Sequence, residues 1–298
     1  MLYTANVDAI AAVSLKKATA MKHSLTGFLT LSVLAGFYIG FGVILSTICA
    51  APVAKLGEFG PALAKIVAGA TFGIALSLVI IGGCELFTGY NLLILKGSFR
   101  GTVTFGDAML GWLWTYLGNL GGSMLFALMI IVSGIYAQDP FKGFLLKIAT
   151  YKMNAPWWEL FFRGIFCNWL VCLAIWSTFR CTSDSGKLIM IFWCLFCFVT
   201  TGMEHCVANM TILTIANLLP HDPAAISWGK MFGWNLVSVT LGNIVGGSFF
   251  VTFLYWFATY MDEKGAKRME AVKGGAGELP RAGCSPEAIR DVRVKMKS

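Results

Sequence analysis

Charge is what this chain has least of. Asp, Glu, Lys and Arg make up 13% of its 298 residues, against about 25% in an ordinary soluble domain. That deficit, with 57% hydrophobic residues, excludes a soluble globular protein and leaves an integral membrane protein. Histidine is scarcer still, with three in the chain. His23 and His221 lie in flanking segments, so a bis-histidine haem of a membrane redox subunit lacks its second ligand. HExxH and GxSxG are absent, and one His beside one Glu is a thin constellation for a membrane-embedded hydrolase. Cys194 and Cys197 form a CxxC without a second pair, so they read as small apolar packing residues, with no metal and no cofactor implied. A signal peptide is not evident, because a polar stretch precedes the first apolar segment and no small-residue cleavage pattern follows. The net charge of +8 gathers at the chain ends, which suits orientation against an anionic leaflet and not nucleic-acid binding.

Long apolar runs fill the rest. Residues 1–23 carry a weak stripe of Val7, Ile10 and Ala11 with Lys16, Lys17 and Lys22 near its end, the pattern of an interfacial helix. A first span is expected from Leu25 to Ala50. The run from Pro61 to Leu95 is too long for one crossing, because about 20 helical residues span the hydrocarbon core. It is interrupted by Gly82-Gly83-Cys84-Glu85-Leu86-Phe87-Thr88-Gly89, so a broken helix is expected, its second half starting near Tyr90. Irregular backbone at such depth survives only inside protein or beside a cavity. A third span covers Ala108–Ile135, a loop bears Asp139, Lys142, Lys147 and Lys152, and a fourth span covers Trp157–Phe179. The fifth is broken at Gly202–Ala208, and the sixth runs Trp228–Tyr260.

A pattern therefore repeats. Each half holds a plain span, a broken span with a Glu at its break, and a span bearing Leu117-Gly118-Asn119-Leu120-Gly121-Gly122 or Leu241-Gly242-Asn243-Ile244-Val245-Gly246-Gly247. Three spans per half invert the second copy, and such inverted repeats bind their substrate at the midplane, between the two breaks. The second break places Glu204 beside His205 between apolar runs, and intramembrane ionisable groups by default mark a pathway. The organisation expected is an interfacial helix over 1–23, a transmembrane channel domain over 24–261 with halves about 24–136 and 157–260, and a cytoplasmic, partly disordered tail over 262–298. Six spans put the N-terminal segment, Lys96 with Arg100, Arg180 with Lys187, and the tail on one side, which the positive-inside rule makes cytoplasmic. Lys142, Lys147 and Lys152 fall on the opposite face, where they suit attraction of an anion.

Leu86-Phe87-Thr88-Gly89, Cys167-Asn168-Trp169-Leu170-Val171-Cys172-Leu173-Ala174-Ile175-Trp176, Glu204-His205-Cys206-Val207-Ala208-Asn209-Met210 and the paired Gly-Asn motifs resemble the formate/nitrite transporter family, over about Ser24 to Tyr260. The run Ala70–Ile81 with Asn168–Trp176 looks most like the family's bacterial nitrite channels. The resemblance implies an all-α, aquaporin-like protomer of six transmembrane helices, in a homopentamer of the cytoplasmic (inner) membrane with one pore per protomer. It implies that Thr88 and His205 face the pore, that Leu86, Phe87, Phe72, Leu76 and Phe198 form hydrophobic slits above and below them, and that Asn168 and Lys152 match family positions on and before the fourth helix. Gly89-Tyr90-Asn91 follows Thr88 where formate channels usually carry small hydroxyl residues, which favours nitrite. Cys206 stands where a serine is common. Formate and hydrosulfide remain alternatives as small monovalent anions.

The expected mechanism starts from the cost of a bare anion at bilayer depth. An anion drawn in by lysines passes one slit, hydrogen-bonds to Thr88 and His205, and leaves through the other; desolvation in the slit raises its pKa and favours protonation. Whether His205 donates a proton or only orients the anion stays open. Glu85 and Glu204 are expected to bind exposed backbone N–H groups at the breaks, or a cation such as Lys152, with a proton-relay role the other possibility. Asn119, Asn209 and Asn243 are expected to support the loops.

Overall fold

The computed structural model describes residues 3–275, and every regular element among them is helical. α1 (Thr4–His23) lies on the protein through Val7 and Ile10, both fully buried. At Ser24 the chain turns, and the Ser24 hydroxyl accepts the Gly27 N–H at 3.2 Å to start α2 (Leu25–Val53), meeting one of the orphan donors of a helix start. α3 (Gly60–Phe72) begins with Pro61, whose missing N–H costs nothing there, and continues with a small offset into α4 (Ile74–Gly82). The break occupies Gly83–Leu86, and α5 (Phe87–Phe99) follows. α6 (Phe105–Val132) starts on a Thr104 cap.

The second half opens with α7 (Phe141–Asn154) and continues with α8 (Trp157–Thr178), α9 (Asp184–Thr200), capped by Ser183, a second break, and α10 (Cys206–Leu218). The last span begins as α11 (Trp228–Lys230), passes through π-helical turns at Met231–Leu236, continues as α12 (Val237–Val245), widens again to a π-helical stretch at Gly246–Phe253, and ends as α13 (Leu254–Gly275). Leu25–Val53, Gly60–Gly82, Phe105–Val132, Trp157–Thr178 and Trp228–Val272 are long and apolar enough to cross a membrane. α9 with α10 supplies the remaining unit as two shorter pieces on either side of the second break. α2 packs along α6, and α8 along α12. One continuous buried apolar cluster joins both halves.

Four expectations are corrected. The lysine-bearing stretch after the third span is the helix α7, held by Leu145, Ala149 and Met153 on its buried face. The first broken span resumes at Phe87, three residues before Tyr90. The segment from Asp262 is not irregular at its start, because α13 runs on to Gly275 and Glu263 there pairs with Arg100 at 2.6 Å; the disorder expected of the rest of the tail lies outside the described residues. Lys96 is no surface charge: it is fully buried.

Candidate functional site

Both breaks are built the same way. α4 ends at Gly83 with φ 74°, and the turn after α9 contains Gly202 with φ 76°. A left-handed residue carries no Cβ penalty only when it is glycine, so each break depends on its glycine. The extended segment that follows exposes backbone groups with no intrahelical partner, and these must be paired at this depth.

The two asparagines of the Gly-Asn motifs do the pairing. Asn119 on α6 accepts the Phe87 N–H at 2.8 Å and donates to Ser32 O at 2.8 Å and Glu85 O at 2.9 Å. Asn243 on α12 accepts the Cys206 N–H at 2.9 Å and donates to Gly164 O at 2.8 Å and Glu204 O at 2.9 Å. Gly242 lets this asparagine approach, since a Cβ there would meet Phe161 O at 2.2 Å. Each amide thus ties one α-helix, one break and one half-helix together with three bonds.

The glutamates take none of the paired break N–H groups: those of Phe87 and Cys206 go to the asparagines, and those of Glu85 and Glu204 to Leu31 O and Arg163 O. They pair with cations from the helix that opens each half. Glu204, on the second break, accepts Lys152 from α7 through both oxygens at 2.8 Å, and Asn209 donates to it at 2.6 Å. Glu85, on the first, pairs with Lys17 from α1 and accepts the Tyr90 hydroxyl at 2.8 Å. The cation expected for Glu204 is therefore there; the one for Glu85 was not foreseen. Nor were Tyr90 and Asn235, whose amide oxygen takes the second donor of Asn209 at 2.9 Å. Nothing in the spacing of Lys17 and Lys152 in sequence announces either pair.

The repeat departs from its own symmetry at one place. Aligning Glu85 with Glu204 sets Leu86 against His205 and Thr88 against Val207. Those two exchanges create the only cross-break polar contact seen among the described residues, between Thr88 Oγ1 and His205 Nε2 at 3.0 Å. His205 is also the N-cap of α10, its Nδ1 accepting the Ala208 N–H at 3.1 Å. A ring nitrogen that accepts is bare, so the neutral ring carries its hydrogen on Nε2. His205 therefore presents Nε2–H toward Thr88.

Asn168 is fully buried on α8 and its amide donates to Thr88 O at 3.2 Å and Asn243 O at 2.7 Å. It joins the start of α5 to α12, the helix that carries Asn243. Cys172, one turn on, donates to Thr88 O at 3.3 Å. Phe72 and Phe198 meet edge to face at 5.8 Å, and the Phe198 ring lies near parallel to His205 at 6.1 Å, with 15° between planes. Leu76 and Leu86 are buried. Phe87 packs its ring against Tyr116 and Trp112 of α6, at 5.1 and 6.4 Å; it has an aromatic wall of its own.

A cavity of about 810 Å³ reaches His205, Phe72 and Phe198 from the α7 side. Lys55, Lys65, Lys147, Lys152 and Arg163 line it against the carboxylates of Asp139 and Glu204. Charges of one sign on low-dielectric walls focus field and raise the local concentration of the opposite ion. A cationic funnel ending in two phenylalanines and a histidine N–H suits a small anion that has to shed water. No cluster of His, Cys, Asp and Glu fit to hold a metal occurs among the described residues.

Comparison with known proteins agrees with this geometry. The formate/nitrite transporter family model matches residues 5–257. The chain is 39% identical over 266 residues to the nitrite transporter NirC of Salmonella typhimurium, covering 89% of this chain and 95% of that one. It is 30% identical over 254 residues to the formate channel FocA of Escherichia coli, covering 80% and 87%. Among solved structures, it superposes on an FNT family ion channel with a TM-score of 0.77 at 38% identity, over 85% of this chain and 98% of that chain. A pentameric formate channel with formate bound gives a TM-score of 0.70 at 28% identity, over 81% and 99%. With its paired breaks, buried asparagines and cavity lined by lysines, this multi-pass chain belongs to the formate/nitrite transporter family, whose members carry small anions and are not enzymes.

Proposed function

We propose that this protein conducts nitrite across the cytoplasmic membrane as a homopentamer, each protomer passing its anion through its own pore past Thr88 and His205. The single observation that carries the reading is His205, which lines the cation-bearing cavity and contacts the buried Thr88 behind it. The identity of 38–39% to nitrite transporters over most of the chain, against 35% to a probable formate transporter and 30% to a formate channel, supports nitrite over formate. The pentamer is argued from the solved relative of that assembly. The Arg100, Asp8 and Glu263 cluster lies at the α1 end of α5, away from the cavity, and the positive-inside rule makes that end cytoplasmic.

The anion enters from the α7 side, where Lys147 and Lys152 hold it against the walls. Phe72 and Phe198 then strip its water. The stripped anion replaces Thr88 as the acceptor of His205 Nε2–H, while the Thr88 hydroxyl turns to donate to it. Two charge-assisted hydrogen bonds, each stronger than a neutral one, offset part of the lost hydration. The Ala208 N–H directed at Nδ1 bears on the proton question. A second proton on the ring has to go on Nδ1, where it meets that N–H head on, so the cap opposes imidazolium. His205 acts here as a hydrogen-bond donor; any proton the anion gains comes with it from solution. Lys152 and Asn209 pair the Glu204 carboxylate where it lines the cavity, and Asn168 fixes the Thr88 backbone.

Stopped-flow uptake into proteoliposomes tests this, comparing nitrite, formate, hydrosulfide and chloride at several pH values. Saturable nitrite flux well above chloride is expected. His205→Phe removes the donor and is expected to lower flux at least tenfold, whereas His205→Asn, which keeps an N–H, retains part of it. Flux in His205→Phe equal to wild type removes His205 from the mechanism. Equal passage of chloride and nitrite overturns the substrate reading.

A further inference from the structure

Lys96 stands apart from every other charge in the membrane region. It is fully buried on α5, and no carboxylate lies within ion-pair distance of it among the described residues. Its Nζ donates to Thr252 O at 2.6 Å and lies over the Trp176 ring, 5.3 Å from the centroid. An ammonium has three donors; the carbonyl and the ring face occupy two directions, and the third has no protein acceptor among the described residues. Burying a cation without an opposite charge is costly.

The fold does not require a cation there. In the register that pairs Glu85 with Glu204, the counterpart of Lys96 on α10 is Ile215, also fully buried. The same seam between α5, α8 and the Gly246–Phe253 stretch accepts an aliphatic side chain in its other copy.

Lys96 is linked to the Thr88–His205 pair by an unbroken line of polar groups. Asn91 donates to Thr88 O at 3.3 Å, Thr252 Oγ1 donates to Asn91 O at 2.7 Å, and Lys96 donates to Thr252 O. Thr252 lies in a π-helical stretch, a distortion that recurs at functional sites. Asn91 Oδ1 is buried beside this line with no partner, an acceptor open to water or to a protonated ligand. Eight residues of α5 separate Thr88 from Lys96, a rise of about 12 Å, in the direction of Arg100 and α1 and away from the cavity.

We propose that Lys96 is a second anion station of the conduction path, on the α1 side of the Thr88–His205 pair, taking one oxygen of a small monovalent oxyanion on its free N–H. The proposal rests on the anion-channel reading. Lys152 at the cavity and Lys96 beyond the breaks then bracket the central pair, and the anion leaves His205 for a cation and not for hydrocarbon. The Lys152 charge is matched by Glu204, and that of Lys96 has no carboxylate partner among the described residues.

The experiment has two arms on the full chain. Trp176 under the ammonium is a built-in reporter, so purified protein is titrated with formate, which does not absorb at indole wavelengths, and its emission followed. A saturable change is expected in wild type and in Lys96→Arg, and its loss in Lys96→Met and in Trp176→Phe. In proteoliposomes, Lys96→Met is expected to raise the half-saturating nitrite concentration at least fivefold, with Lys96→Arg near wild type. Melting temperature and elution volume report folding; if Lys96→Met does not fold, Lys96→Gln takes its place in both arms. A Lys96→Met protein that titrates and transports as wild type overturns the proposal, as does a wild type with no saturable emission change. Should wild type carry no small anion at all, the channel reading fails, while the emission arm still decides whether Lys96 holds one.

Discussion

Replacing Asn119 by alanine isolates the most economical device in the fold. Its fully buried amide makes three bonds, to Phe87 N–H, Ser32 O and Glu85 O, at 2.8–2.9 Å. Side-chain bonds in membrane proteins are worth roughly 0.6 to 1.7 kcal/mol each, so the loss predicted is about 2–5 kcal/mol. Water does not reach this depth to replace the lost partners, which favours the upper half of that range. Asn119→Asp is predicted to be worse than alanine, because it keeps the acceptor for Phe87 but sets a carboxylate against two carbonyls. Asn243→Ala, the counterpart with three equivalent bonds, is predicted to match Asn119→Ala within about 1 kcal/mol, the scatter expected of such measurements. The assay is the thermal midpoint of detergent-purified protein, paired with anion uptake, since Phe87 neighbours Thr88 and a loosened break moves that hydroxyl off His205. An Asn119→Ala protein with wild-type midpoint and flux refutes the claim that this amide holds the break.

Gly202 sits at φ 76° with open space where a Cβ would go, so Gly202→Ala tests backbone strain free of clashes; a loss of about 1–2 kcal/mol is predicted in the same melting assay, and a midpoint unchanged from wild type argues against the strained turn. Arg100 beside Glu263 holds the Glu263 carboxyl below the usual carboxylate range, through a hydrogen bond first and charge second. A carboxyl with a lowered folded pKa stabilises at pH above its unfolded value, about 4.3, and loses that contribution as pH falls through the folded value. The α13–α5 contact is therefore expected to hold at neutral pH and weaken below about pH 4, and Glu263→Gln to flatten the wild-type fall in melting temperature over that window; parallel curves for the two proteins contradict it.

Much of the architecture was legible because hydropathy is a property of short segments. Glu85 and Glu204 within apolar runs, each preceded by glycine, marked both breaks, and the two Gly-Asn motifs marked the helices that support them. The helix over 141–154 was missed because its buried side holds only Leu145, Ala149 and Met153, a stripe too narrow to stand out among three lysines and polar neighbours. Phe87 looked like a gate from its motif, yet its ring has α6 aromatics as partners. Lys96 was counted with surface charges since it follows an apolar run and precedes Arg100, the usual place for a cation at a membrane edge.

By itself, the sequence determined that the chain is a membrane protein, that it breaks twice, each time at a glutamate, and that an imidazole, His205, lies at the second break. These follow from local quantities: apolar run length, glycine that alone tolerates positive φ, and one imidazole within a hydrophobic stretch. Only the tertiary structure decided which cation meets which carboxylate, which amide caps which break, and that Lys96 meets no carboxylate among the described residues. Those pairings join residues 32 to 156 positions apart, and at such separation the partner is chosen by how helices pack around the breaks, which no spacing along the chain encodes.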